Sequence, residues 1–155
     1  FFYWTIHADF TAGIAGPGMF WPMVALGLFV MAWAATIGAR ETNRRGNIVA
    51  ARALLAVGAV LAAAASAAAL SGPWAYAMDP TAQAYSAIVW ILVIWTAVHG
   101  ATGILMQLYC LARSLAGRLT PRYDTELHNV ALYWHFMLVT ALVTFCVVGL
   151  FPEAL

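Results

Sequence analysis

Residues 84–112 read AYSAIVWILVIWTAVHGATGILMQLYCLA, a run without a single charged side chain. A helix of about 20 residues crosses the hydrocarbon core of a bilayer, so this run is long enough to span one. Three further apolar runs of sufficient length occupy 17–39, 49–71 and 127–151. The sequence therefore predicts an all-α fold: a polytopic transmembrane helix bundle with four spans, forming a single transmembrane domain over 1–155.

The composition supports the same class. Apolar residues make up 65% of the chain and charged residues 8%, compared with roughly 45–50% and 25% in soluble domains. A net charge of +1 creates no field that would attract nucleic acid, so we expect no nucleic-acid partner. No predicted span carries a carboxylate near its centre, although proton pumps and cation-coupled transporters normally do. We expect no autonomous catalytic or metal site in this chain.

The basic residues predict the topology. All of them are Arg, and they lie in or beside the first and third connections: Arg40, Arg44, Arg45, Arg52, Arg113, Arg118 and Arg122. The middle connection, 72–81, contains Asp79 and no basic residue. The positive-inside rule places the Arg-rich connections in the cytoplasm and the middle connection and both ends outside. Abundant Ala, together with the use of Arg at all seven basic positions, favours a GC-rich bacterial genome and hence a bacterial inner membrane.

An outside N-terminus has a further consequence. The chain opens at Phe1 without Met, and a protein that starts in the cytoplasm needs at least one more span before this point. We therefore expect five spans in the full protein.

Three histidines lie in the predicted spans, and we expect His99 and His135 to be buried there. An ionisable side chain at this depth is costly and marks a candidate functional site. His128 and His135 are seven residues apart and share a helix face. Counted from the cytoplasmic ends, His99 is about 14 residues deep and His135 about 9, an offset of roughly 7 Å at 1.5 Å per residue. Two histidines that clamp one heme iron should lie at similar depth, whereas a structural hydrogen bond needs no such match. Structural hydrogen bonding, cofactor ligation and lipid or proton contact all remain open for these histidines.

The arginines nearest the helix ends have a second possible role beyond setting the topology. Basic residues at the inner membrane surface bind the phosphates of anionic lipids. Arg52, Arg113 and His128 are therefore the candidate phospholipid-binding residues.

Two short elements in the last two spans carry a resemblance to a known family. They are VHGAT at 98–102 and LYWHFML at 132–138. They resemble the Phe-His-Gly-x-His and Trp-Tyr-Trp-His-Phe-Val-Asp elements in the last two helices of subunit III of heme-copper oxidases, that is, cytochrome c oxidase and its quinol-oxidising relatives. The matching motif residues are His99, Gly100, Tyr133, Trp134, His135 and Phe136. The chain departs from the family pattern at Thr102, Leu138 and His128, where the family has His, Asp and Glu.

The resemblance, which covers roughly 85–151, implies a function. Subunit III is not catalytic and binds no cofactor of its own. Heme and copper are expected in the partner, the catalytic subunit I, and subunit II is a second expected partner. The chain would pack on subunit I, hold structural phospholipids, and support proton uptake and turnover stability. His99 and His135 would bridge the last two helices, and fusion behind subunit I would account for the missing native start.

Two other functions remain open. The first is a heme b-binding membrane-anchor cytochrome that uses His99 together with His135 or His128. The second is a small transporter or channel, which the absence of intramembrane carboxylates and of paired broken helices disfavours.

Overall fold

Four long helices make up most of residues 18–150, the part of the chain that this computed structural model describes. They are α1 (Phe20–Arg44), α2 (Ile48–Ala75), α3 (Ala84–Leu115) and α4 (Thr125–Phe145), and a π-helical segment, Cys146–Leu150, continues α4. Each of the four is long and apolar enough to cross a membrane. The described residues contain no β-strand. The predicted all-α bundle with four potential spans is confirmed.

The helices extend beyond the predicted apolar runs at most of their ends. α1 continues past residue 39 to Arg44, α3 continues past residue 112 to Leu115, and α4 begins at Thr125, before residue 127. Hydropathy marks where the lipid-compatible stretch stops, whereas a helix continues until a capping residue or turn ends it. The outermost residues of two predicted runs, 17 and 151, and both chain ends lie outside the described residues.

The connection between α1 and α2 is short because its residues are suited to a tight turn. Gly46 has a φ of 79°, a left-handed conformation that glycine adopts without steric cost. The side chain of Asn47 then accepts a hydrogen bond from the Ala50 N–H and caps the start of α2. α1 and α2 are consequently antiparallel neighbours.

The four helices form a closed square. α1 packs against α2 and α4, and α3 packs against the same two helices, so α1 and α3 lie on a diagonal. The buried face of α2 consists mainly of small residues, which allow close approach of helix backbones: Ala51, Gly58, Ala59, Ala62, Ala65, Ala68, Ala69 and Gly72. The large buried side chains are concentrated elsewhere, among them Phe29, Leu127, Trp134 and Met137.

Candidate functional site

The two sequence elements that carry the family resemblance meet at the interface of α3 and α4. The Tyr133 hydroxyl donates a hydrogen bond of 2.9 Å to the backbone carbonyl of His99. The fully buried ring of Trp134 packs against Gly103, where an added Cβ would lie 3.0 Å from a ring carbon. Glycine at 103 thus makes room for the indole. The structure brings Tyr133 and Trp134 into contact with the His99 turn of α3.

Gly100, the motif glycine beside His99, faces a different neighbour. A Cβ built on Gly100 would lie 2.5 Å from the Ser66 hydroxyl of α2 and 3.4 Å from the ring of Phe29 on α1. Gly100 therefore permits close packing of α3 on α2.

His99 is half-buried and bonded to its own helix. Its Nδ1 lies 2.8 Å from the Trp95 carbonyl oxygen one turn earlier, and its ring packs against Trp95 and against Phe136 of α4 at centroid distances of 4.8 and 5.5 Å. A carbonyl oxygen only accepts, so Nδ1 carries the proton of the neutral ring and Nε2 keeps a lone pair.

His135 lies on another side of α4. It is exposed, its Nδ1 is 2.6 Å from the Ala131 carbonyl oxygen, and its ring meets Trp33 of α1 edge-on at 5.7 Å. Two residues along a helix correspond to a rotation of about 200°, so His135 points away from the side on which Tyr133 contacts α3. The expectation of a buried His135 was wrong, because residue 135 falls outside the stripe of α4 that faces the core: Leu127, Val130, Ala131, Trp134, Met137 and Ala141.

The expected histidine bridge between α3 and α4 is replaced by other contacts. Each imidazole binds a carbonyl of its own helix. Hydrogen bonds between α3 and α4 come instead from Tyr133, from the hydroxyl pair of Thr96 and Thr144, 2.8 Å apart, and from Arg113, which donates to Glu126. The side chain of His99 meets the opposing helix through its ring contact with Phe136, and its backbone carbonyl does so by accepting the Tyr133 hydrogen bond.

This arrangement does not fit a heme clamped by His99 and His135. Axial ligands must face one space from opposite sides of the porphyrin, but His99 faces Phe136 on α4 while His135 faces Trp33 on α1. His128 is in the first turn of α4, at a greater depth difference from His99, and it shares a helix with His135. Within residues 18–150, no three His, Cys, Asp or Glu side chains group closely enough to hold a metal ion.

The three candidate lipid-binding residues lie at the Arg-rich end of the bundle. Arg113 pairs with Glu126 of α4 at 2.6 Å, and Arg52 of α2 donates to the Ser114 carbonyl oxygen at 2.6 Å and to its hydroxyl at 3.0 Å. Both guanidinium groups therefore tie neighbouring helices together. His128 is half-buried, and its Nδ1 is enclosed without a hydrogen-bond partner in the described part of the chain. Lipid binding by these residues stays a prediction.

A groove opens between α3 and α4 in the same Arg-rich half of the bundle. Its volume is about 340 Å³, and it is lined by Thr102, Leu105, Met106, Tyr109, Cys110, Glu126, Asn129 and Val130. No known family model matches the sequence, and no curated protein is similar enough to match it.

One polar contact inside the bundle had only a weak signal in the sequence. Gln107 is fully buried, and its Nε2 donates to the Thr36 hydroxyl of α1 at 2.7 Å across the diagonal of the square. The Thr36 hydroxyl donates its own hydrogen bond to the Ala32 carbonyl oxygen, so the Gln107 amide nitrogen must be the donor in this contact. The opposite amide atom, Oε1, has no partner among residues 18–150. A glutamine inside an apolar run is the signal, but the sequence does not reveal which helix it meets.

A second contact joins α1 to the start of α4. Asp124 accepts a hydrogen bond of 2.9 Å from Arg44, and Arg40 lies 3.6 Å from the same oxygen. Partial burial acts to raise the pKa of Asp124, but the hydrogen bond and charge of Arg44, with the charge of Arg40, outweigh it and hold that pKa below its usual value. The arginines on which the topology prediction rests thus also hold neighbouring helix ends together.

Proposed function

We propose that this chain is a non-catalytic membrane subunit of a respiratory heme-copper terminal oxidase, of the subunit III kind, which packs on the catalytic subunit. The observation that carries the proposal is the hydrogen bond from Tyr133 to the His99 carbonyl. It joins the two sequence elements that resemble subunit III, in a chain with four helices able to cross a membrane.

The exposed ring of His135 also supports a packing role. Of the two ring nitrogens of His135, Nδ1 alone has a hydrogen-bond partner within residues 18–150. Nε2 therefore presents an unpaired acceptor on an otherwise apolar surface. A polar group at lipid depth is costly unless another group satisfies it. A helix of subunit I or II that donates to Nε2 would remove this cost.

The proposal assigns the redox chemistry to the partner. Heme and copper would reside in subunit I, and this chain would support proton uptake and turnover stability while holding structural phospholipids. The Arg-rich connections would face the cytoplasm of a bacterial cell, and the C-terminus would lie outside the inner membrane. The positive-inside rule supports this orientation, since the three acidic residues near the arginines (Glu41, Asp124 and Glu126) leave an excess of positive charge at that end.

The direct test is purification of the tagged chain from its native membranes in mild detergent, followed by mass spectrometry and reduced-minus-oxidised absorption spectra. We expect a heme-copper catalytic subunit in the purified complex. Recovery of the folded chain without such a subunit would contradict the proposal.

A substitution makes this test sharper. We expect His135→Ala to lower the yield or operational lifetime of the complex several-fold while heme content per catalytic subunit stays constant, because His135 meets the partner and not an iron. Leu132→Ala, which truncates another exposed side chain of α4 (Leu132 is 55% exposed), is the matched control and should have a smaller effect. Loss of a b-type α-band on His135→Ala would favour the anchor cytochrome instead.

A further inference from the structure

The groove between α3 and α4 has the size and walls of a ligand site. Its volume of about 340 Å³ falls within the range of roughly 300–1,000 Å³ that is typical of small-molecule pockets. Leu105 and Met106 of α3 and Val130 of α4 supply apolar walls. The polar side chains of Glu126 and Asn129 line the groove in the first turns of α4, at its inner end. An apolar channel with one polar end matches an amphiphile.

The charges at the polar end determine which head group fits. Arg113 and Glu126 form an ion pair at 2.6 Å, so the Arg113 charge is already neutralised. A phosphate placed here would approach the Glu126 carboxylate, and like charges at close range repel. The inner end of the groove is therefore complementary to an uncharged head group.

The hydrogen-bonding groups along the groove suit oxygen atoms on the ligand. Asn129 and Tyr109 are exposed side chains that line it, and both can donate to a carbonyl or hydroxyl oxygen. Thr102, which also lines the groove, donates a hydrogen bond of 3.1 Å to the Val98 carbonyl oxygen. Its hydroxyl oxygen can therefore only accept a hydrogen bond from a ligand.

We propose that this groove binds an uncharged amphiphile with one apolar chain and a head group bearing carbonyl or hydroxyl oxygens, such as an isoprenoid quinone or a monoacylglycerol. The head group contacts Asn129 and Tyr109 near the inner surface, and the chain extends between Leu105 and Val130. The inference goes beyond the proposed function and does not depend on it, since it concerns only the groove of this chain.

The test uses the full chain in nanodiscs formed directly from native membranes. A quinone analogue with a photoreactive diazirine on its chain is cross-linked, and labelled peptides are mapped by mass spectrometry. We expect labelling within 102–110 and 126–130 that excess decylubiquinone or monoolein suppresses and excess phosphatidylglycerol does not. Whichever of the two uncharged competitors acts at the lower concentration identifies the source. Equal competition by phosphatidylglycerol, labelling spread evenly over the helices, or no labelling of the groove would overturn the proposal.

Two exposed leucines of α3 provide matched variants. Leu105→Trp places a large side chain in the groove wall and should reduce the labelling at least tenfold. Leu108→Trp makes the same change at a residue that does not line the groove, and it should leave the labelling unchanged. Equal labelling in both variants would rule out the groove as the site.

A charge variant tests whether the ion pair of Arg113 and Glu126 excludes anionic head groups. Glu126→Gln releases Arg113 from its ion pair, so phosphatidylglycerol should become an effective competitor in this variant alone. Unchanged competition in Glu126→Gln would contradict the electrostatic argument. Co-purification with an oxidase subunit is a separate measurement, so failure of either proposal can be told from failure of the other.

Discussion

The pair α1–α2 and the pair α3–α4 are built from different side chains. α1 and α2 face each other mainly through Ala and Gly, and these two helices make the most extensive contact in the bundle. α3 and α4 meet through the bulky rings of Tyr133, Trp134 and Phe136, and a groove remains between them toward the Arg-rich end. Small residues allow backbones to approach closely, whereas large rings hold helices apart and leave space.

This difference in packing makes α1 and α2 a scaffold and makes α3 and α4 a surface that can bind a ligand or a partner. The α1–α2 interface uses its close packing to enclose Gln107, which reaches over from α3. The α3–α4 pair carries the motif residues, the groove and the half-buried His99. Substitutions in the first pair should therefore act on stability, and substitutions in the second should act mainly on binding.

The largest effect is expected at Gly58 of α2. A Cβ at this position would lie 2.8 Å from Gln107 Nε2 and 3.5 Å from the Ala35 Cβ. Gly58→Leu should therefore force α1, α2 and α3 apart and destabilise the bundle by about 2–3 kcal/mol, as expected for overpacking of a close-packed core. Unfolding of the purified protein by SDS in mixed micelles, followed by near-UV circular dichroism, measures this loss.

Gly27 of α1 offers the matched control. A Cβ added there would have no atom within 4 Å, so Gly27→Leu changes the same residue type in a helix without crowding a neighbour. The SDS concentration at the midpoint of its unfolding should stay near that of the wild type. Equal destabilisation by the two variants would show that close packing at Gly58 is not the cause.

A smaller effect is expected where Gln107 crosses the bundle. Thr36→Val removes the acceptor of the Gln107 amide and leaves a buried donor unpaired, at a cost of about 1–2 kcal/mol. Gln107→Leu removes the amide altogether while Thr36 keeps its bond to the Ala32 carbonyl, so it should be nearly neutral. The same SDS titration compares them, and a Gln107→Leu cost as large as that of Thr36→Val would contradict this asymmetry.

The sequence was sufficient to predict the helices because hydropathy and length act locally. One local rule predicts the helices at 84–112 and 49–71: a long run of apolar side chains favours a membrane-spanning helix. The ends of the helices are harder to predict from hydropathy. α1 continues through charged residues as far as Arg44, and hydropathy gives no signal for a helix that continues beyond the apolar run.

The site was harder to predict because side-chain partners depend on how helices are rotated. His99 and His135 were correctly assigned to neighbouring helices, yet their rings face different neighbours, Phe136 and Trp33. Position along the span predicts the depth of each histidine but not the direction in which its ring points. For the same reason, Arg113 was predicted as a lipid contact without the knowledge that Glu126 lies beside it.

The smallest effect is expected at Tyr133, whose hydrogen bond holds the motif helices together. Tyr133→Phe keeps the ring but removes the donor to the His99 carbonyl. Interhelical hydrogen bonds in membrane proteins contribute about 0.6 kcal/mol on average, so the SDS midpoint should fall only slightly. Tyr109→Phe, which removes a hydroxyl from an exposed ring of the groove, should leave the midpoint unchanged while weakening photolabelling. If Tyr133→Phe proved as costly as Gly58→Leu, α3 and α4 would be no less dependent on their interface than α1 and α2, and the division between scaffold and recognition surface would fail.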